Sequence, residues 1–251
     1  MARAPLAFLL AAAAPAAAGL WEEVGRNTDV TAWASAASDL VDRGRAPGVG
    51  PLASACAEAR LSIPASTLNL ILTAGADRSL DGAPRLDRRF AGLTAEYHGC
   101  SELCVARLSL LHELNLGVNP ATLGRLGSET GYEAALENIT FGGFWDLGFE
   151  VAVVPRREEH RVEARLQRLF AIGESGPALH LGFHVGDLRA LDADGDGQGR
   201  AEAWSYAAIK ASLVFDVGPA DTLYLTVGSQ QATDDRGVRD GWVELSYRRM
   251  F

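Results

Sequence analysis

Cysteine is scarce in this chain. Cys56, Cys100 and Cys104 are the three it has among 251 residues, too few for a disulfide framework to hold an exported fold together. Cys100 and Cys104, in "HGCSELC", are placed to pair across a short hairpin loop, which leaves Cys56 over. Long apolar runs are scarce too. Beyond the N-terminus no segment approaches the roughly 20 apolar residues that a membrane-spanning helix needs. That excludes a helical membrane protein but leaves open a barrel, whose strands are apolar only at every second position. Basic charge is the third shortage: 23 Lys+Arg stand against 32 Asp+Glu. No basic stripe exists to neutralise phosphates, so nucleic acid is not an expected partner.

The N-terminus does carry one apolar run. "MARAPLAFLLAAAAPAAAG" has Arg3, an apolar stretch from Leu6, and Ala16 and Ala18 as an A-x-A cleavage site. It reads as a secretory signal peptide over 1–18, with a mature chain beginning near Gly19. The segment 19–51 follows as a periplasmic or plug-like element. Within it, Thr28 or Asp29 is placed to cap a helix running through Leu40 and Val41, stopped by Gly44 and Pro47.

From residue 52 to 251 the dominant signal is alternation at period 2. In 52–63 Ala53, Ala55, Ala57, Ala59, Leu61 and Ile63 share one face. In 66–75 Leu68, Leu70 and Leu72 oppose Asn69, Ile71 and Thr73. In the stretch that starts at Cys104, Leu108 and Leu110 oppose Arg107, Ser109 and Glu113, with His112 the polar exception on the apolar face. The run 139–154 reads as one strand, Phe149, Val151 and Val153 opposing Gly148 and Glu150. In 161–172 Val162, Ala164, Leu166 and Phe170 oppose Arg161, Glu163 and Arg165, and Arg168 breaks the apolar row. Leu181, Phe183 and Val185 oppose His180, Gly182 and His184; Ile209, Leu213 and Phe215 oppose Lys210, Ser212 and Asp216. The chain ends in "GWVELSYRRMF", with Val243, Leu245, Tyr247, Arg249 and Phe251 on one side and Trp242, Glu244, Ser246 and Arg248 on the other.

Strands of ten or more residues suit a tilted crossing of a bilayer, for which about 9–11 are needed; soluble sandwiches favour strands of about 5–6. The polar faces mix Gly, Ser and Thr with charges of both signs, which suits a narrow hydrated lumen. Arg107, Glu113, Arg161, Glu163, Arg165, His180, His184, Lys210, Asp216, Glu244 and Arg248 are the expected polar network of that lumen. The connections alternate in kind: 174–177 and 218–220 are short, whereas 191–201 and 233–240 are longer and charged, the outer-membrane arrangement.

On these residues the chain resembles a Gram-negative outer-membrane β-barrel. Such barrels typically close on an amphipathic strand ending in an aromatic residue, which the barrel-assembly machinery reads. Val243, Leu245, Tyr247 and Phe251 match that pattern; Arg249 departs from it. The resemblance covers roughly 52–251 and concerns architecture, with no subfamily motif. It implies an all-β, antiparallel, up-and-down transmembrane barrel located in the outer membrane, with outer-membrane lipid and the assembly machinery as partners. Nine segments from 66 onward, with 52–63, make ten strands; eight result if one segment stays outside the wall. The stretch 119–137 is then a long periplasmic link.

Three features bear on chemistry. Asp192, Asp194 and Asp196 at spacing two, with Gly197, match the opening of a calcium loop, but the bidentate acid wanted at the twelfth position is replaced by Ala203. A flexible acidic loop explains the same residues and is the favoured reading, so no cofactor is expected, with Ca²⁺ as the one alternative. His180 and His184 share a face but stand roughly 13 Å apart along a strand, too far to hold one metal. Trp145, Trp204, Tyr206, Trp242 and Tyr247 lie near strand ends and read as an interfacial aromatic girdle. Three functions remain open at this point: a non-catalytic narrow pore or surface protein, a rim enzyme acting on lipid or peptide, and a soluble exported barrel with an apolar ligand inside.

Overall fold

Alternation at period 2 needs partners on both edges before it becomes a wall. The computed structural model describes residues 27–38, 51–63, 66–80, 86–99, 104–116, 127–141, 145–155, 158–173, 176–191, 201–232 and 239–251. They form twelve strands: β1 (Thr28–Ala37), β2 (Leu52–Ser62), β3 (Leu68–Ser79), β4 (Asp87–His98), β5 (Val105–Asn115), β6 (Gly127–Phe141), β7 (Trp145–Val154), β8 (Glu159–Ala171), β9 (Ala178–Leu191), β10 (Ala201–Asp216), β11 (Asp221–Ala232) and β12 (Arg239–Met250). Each pairs antiparallel with its sequence neighbours, and β1 pairs with β12, so the sheet closes on itself.

The all-β up-and-down barrel is therefore as expected, but its strand number is twelve, not ten or eight. Two segments account for the difference. The expected helix from Thr28 is a strand, "TDVTAWASAA", paired from Thr28↔Leu61 to Ala37↔Leu52 with β2 and from Thr31↔Met250 to Ala37↔Glu244 with β12. Its alanines are good helix formers, but propensity is a weak prior that two complete ladders override. The expected periplasmic link 119–137 contains most of β6, "GSETGYEAALENITF". Glu129, Glu133 and Glu137 recur every fourth residue, a spacing that a polar helix face would share. On a strand the same spacing puts all three on one side, while Tyr132, Ala134 and Leu136 take the other.

The run 139–154 is likewise two strands, β6 ending at Phe141 and β7 beginning at Trp145. Near the end of β6 the register shifts between Leu136 and Ile139, with Asn138 at φ 57°. The inserted residue is a bulge, and it keeps both Leu136 and Ile139 on the outer face. Asparagine is among the residues that tolerate the left-handed conformation best.

An even strand count brings the start of β1 and the end of β12 to one rim, here called the terminal rim. The connections 63–67, 99–104, 142–144, 172–177 and 217–220 also join strands there. The other six, including 38–51, 116–126 and 192–200, join strands at the opposite, loop rim. Cys100 and the aspartates 192, 194 and 196 fall outside the described residues, as do 1–26.

Two faces result. The outer one carries Leu72, Leu108, Val162, Val185, Ile209, Val227 and Leu245, with Leu72 60% and Leu108 64% exposed. An apolar belt of this extent is costly in water and requires hydrocarbon around it. The inner face is polar: Asp77, Glu96, Glu129, Glu150, Arg161 and Glu163 are buried there. This is the reverse of a soluble barrel with an apolar interior, and that reading falls. Replacing Leu110, mid-strand on the outer face of β5, with Arg is expected to cost about 2–4 kcal/mol. Its lumen-facing neighbour Ser109, whose hydroxyl accepts from Thr94 at 3.0 Å, is expected to lose about 1 kcal/mol as Ala. Chemical unfolding of the barrel refolded into lipid vesicles checks both, and equal costs would overturn the assignment of faces.

Candidate functional site

A strand places every second side chain in the lumen, so lumen charges on adjacent strands meet across short distances. Glu96 on β4 is the first hub. It accepts hydrogen bonds from Asn69 on β3 (3.1 Å) and Arg107 on β5 (2.8 Å), pairs with Arg60 on β2 at 3.0 Å, and lies 2.8 Å from His98 Nε2. Arg107 reaches on to Glu137 of β6 at 2.5 Å. Arg165 of β8 continues the chain, donating to Glu137 (3.3 Å), to Glu163 (2.5 Å) and to Glu150 of β7. Arg161 donates to the same Glu150 and to Glu133 (3.1 Å). Glu163 then accepts from Tyr206 of β10 and faces His184 Nδ1 of β9 at 3.3 Å.

The result is a belt of charge running from β2 to β10 around the inside of the wall. Arginine suits it because one planar fork serves two or three carboxylates at once. Burial makes the pairing obligatory: the Arg161 and Glu150 side chains are each 3% exposed, and a charge so placed without a partner is strongly destabilising. Nearer the loop rim a separate pair forms, Arg88 donating to Asp77 (2.5 Å) and Glu113 (3.4 Å).

Every residue of the expected lumen network faces the lumen, but not as one network. Arg107, Arg161, Glu163, Arg165 and His184 belong to the belt, and Glu113 to the Arg88 pair. Lys210, Asp216, Glu244, Arg248 and His180 lie apart. Asp216 accepts from the Thr222 hydroxyl at 3.4 Å, and Glu244 from Ser246 at 2.6 Å. Arg248 borders, with Asp216, Asp221 and Thr222, a cavity of about 390 Å³ at the terminal rim. Sequence reasoning missed the belt's Glu133 and Glu137 because β6 was not read as a strand. The alternation of Tyr132, Ala134 and Leu136 with them was the available signal.

The remaining wall, from the end of the belt on β9 and β10 to β12, mixes larger lumen side chains (His180, Lys210, Trp242, Glu244 and Arg248) with small or hydroxylated ones. Gly182, Ser212, Thr226, Gly228 and Ser246 face inward there, with Ser212 and Thr226 hydrogen-bonded at 2.8 Å. Two aromatic residues expected in the girdle also turn inward. Tyr206 lies over its cross-strand partner Gly186 and Trp242 over Gly228, as Phe90 does over Gly75. A Cβ at Gly186 or Gly75 would stand 2.5 Å from a ring atom, so only glycine admits these rings. Trp145 stays on the outer face at the terminal rim, 6.3 Å from Phe170 and 6.1 Å from Phe183, with Arg168 4.4 Å above the Phe170 ring. That contact explains how Arg168 is tolerated in an apolar row. Tyr247 also faces outward and donates to Asp221 at 2.5 Å; the Trp204 side chain falls outside the described residues.

The terminal strand has its own geometry. Val243, Leu245, Tyr247 and Phe251 share the outer face. The backbone N–H of Phe251 donates to the Val30 carbonyl at 2.8 Å and that of Met250 to Ala220 at 2.9 Å. Arg249, the departure from the pattern, lies 5.5 Å over the Phe251 ring. Among the described residues no group of three or more His, Cys, Asp or Glu side chains is arranged to hold a metal ion.

No family model and no curated protein matches this chain. Solved structures do match in fold. An outer membrane channel from Pseudomonas putida F1 is 16% identical with a TM-score of 0.52, the match covering 89% of this chain and 95% of that one. The KdgM porin is 5% identical with a TM-score of 0.51, covering 89% and 99%. LpxR from Salmonella typhimurium is 12% identical with a TM-score of 0.50, covering 88% and 100%. At such identities the likeness speaks for the fold alone. With the closed sheet, the apolar outer belt and the polar lumen, it makes this chain an outer-membrane β-barrel.

Proposed function

We propose that the barrel is a narrow, non-catalytic pore that passes small hydrophilic solutes across the outer membrane. The observation that supports this most is the division of the lumen into two arcs. Eight-stranded barrels are filled by their own side chains, and 16–18 strands leave an aqueous channel; twelve lie between. Here the long charged side chains of the belt are paired with one another, strand to strand, along β2–β10. The facing wall contributes Ser212, Thr226 and Ser246, which project little, beside the Trp242 ring laid flat over Gly228. Water-lined space along that wall is the path.

The fold relatives whose names describe a channel and a porin fit this reading. Outer-membrane lipid covers the apolar belt, and the assembly machinery reads the Val243–Phe251 strand. Reconstitution into planar bilayers tests the pore. Discrete conductance steps in potassium chloride are expected, and a folded barrel that inserts without conducting would overturn the proposal.

A further inference from the structure

Lys210 is the sole lysine among the 23 Lys+Arg residues of the chain, and it sits in mid-strand on the lumen face of β10. Arginines dominate the belt, where each is met by carboxylates. Lys210 differs: its ammonium makes no hydrogen bond and no ion pair among the described residues. The carboxylates of Glu163 and Glu244 act on it only from beyond ion-pair distance. Each has other partners, Glu163 in the belt and Glu244 with Ser246.

The neighbouring strands seat the stem of this lysine close to the wall. Its cross-strand partners are glycines, Gly182 on β9, over which the stem lies, and Gly228 on β11, which the Trp242 ring covers. A Cβ at Gly182 would meet Lys210 Cγ at 3.4 Å, Lys210 Cε at 3.5 Å and His184 Nε2 at 3.4 Å. The lysine stem and the imidazole of His184 thus converge over a residue with no side chain of its own. Glu163 takes the Nδ1 side of His184, fixing that ring as one wall. His180, one strand position on the other side of Gly182, lies within electrostatic reach of Lys210 and has no hydrogen-bond partner among the described residues.

We propose that Lys210, its stem seated over Gly182, and His180, with His184 as a wall, form a binding station for an oxyanion, the carboxylate or phosphate group of a solute in the lumen. An ammonium half withdrawn from water lacks a counterion here, and an oxyanion supplies several strong acceptors at once. Gly182 matters because the Lys210 stem and the His184 ring lie over it, and a longer side chain there would push the ammonium away from His180. The station deepens the pore reading by naming a solute class, and rests on it for its purpose, though binding itself does not require conduction.

Titration calorimetry of the barrel refolded in detergent, with inorganic phosphate as the probe at low salt, tests the station. Saturable binding is expected for the natural sequence. Lys210→Met is expected to weaken it at least about tenfold, the loss of one charge-assisted hydrogen bond, and Lys210→Arg to restore it. His180→Gln is expected to weaken it by a smaller factor, and serves as the independent variant should Lys210→Met not fold, with heat-modifiable migration reporting folding. Absence of binding in the natural sequence, or binding unchanged in both variants, overturns the station. The two proposals separate cleanly: conductance without phosphate binding removes the station and leaves the pore, whereas phosphate binding without conductance does the reverse.

Discussion

Replacing Arg161 with Met is expected to destabilise the folded barrel by about 3–5 kcal/mol, the cost of leaving a buried charge without its partner. Arg161 is 3% exposed and donates to both Glu150 and Glu133. Glu150, equally buried, loses this partner and is left with Arg165 alone, which it shares with Glu137 and Glu163, so its charge is no longer matched. The methionine conserves much of the apolar stem, so the loss reports charge rather than volume. The double variant Arg161→Met with Glu150→Gln is expected to recover part of the loss, since the orphaned charge is then gone. Guanidinium unfolding in lipid vesicles measures the set. A single-variant cost below about 1 kcal/mol, the range of solvent-exposed pairs, would mean that the belt is hydrated and contributes little to the wall.

Deleting residues 28–37 is expected to have a larger effect still: no heat-modifiable, membrane-inserted barrel. β1 supplies the ladder that β2 needs on one edge and β12 on the other. Without it eleven strands remain, and the outer edges of β2 and β12 present unpaired N–H and C=O groups to hydrocarbon. Each such group costs several kcal/mol where no water can reach it, and no side-chain packing offsets a whole row of them. An antiparallel sheet with an odd strand number also cannot close on the same pair, because β2 and β12 run parallel. A milder variant, Ala34→Pro, removes one ladder donor in mid-strand opposite Tyr247 and Ala55, and is expected to fold in reduced amount. Recovery of the deletion in normal amounts in the outer membrane would show that β1 lies beside the barrel rather than in it.

Much of this wall was legible in the residues themselves. From β2 onward, β6 apart, the outward and inward sets follow directly from period 2, because a strand between a membrane and a lumen has no third environment to confuse the pattern. Even Trp242 was on the polar side of its strand by count, and only its nearness to a strand end suggested the girdle. β1 and β6 were hidden for opposite reasons. In β1 the outward residues after Val30 are alanines, whose hydrophobic contrast with Ser and Thr is small. In β6 the inward residues are acids, whose every-fourth spacing is shared by a helix face and a strand face. The belt was legible as a set of charges but not as a set of pairs. Arg165 and Glu137 meet from positions 28 apart in sequence, and that meeting depends on the registers of two intervening ladders, which periodicity does not determine.

The rings laid over glycines bear on how those registers are chosen. A strand in an open sheet can slip by two residues without exchanging its faces, so hydrophobic alternation alone does not forbid the error. In β9–β10 such a slip would carry the Tyr206 ring from Gly186 onto His184 or Leu188, where a side chain already fills the space. The same slip in β11–β12 would carry Trp242 onto Thr226 or Gln230, and in β3–β4 Phe90 onto Thr73 or Asp77. Each ring therefore acts as a peg that fits one notch on the neighbouring strand. Three hairpins of the barrel select their own alignment locally, before the sheet has closed around them.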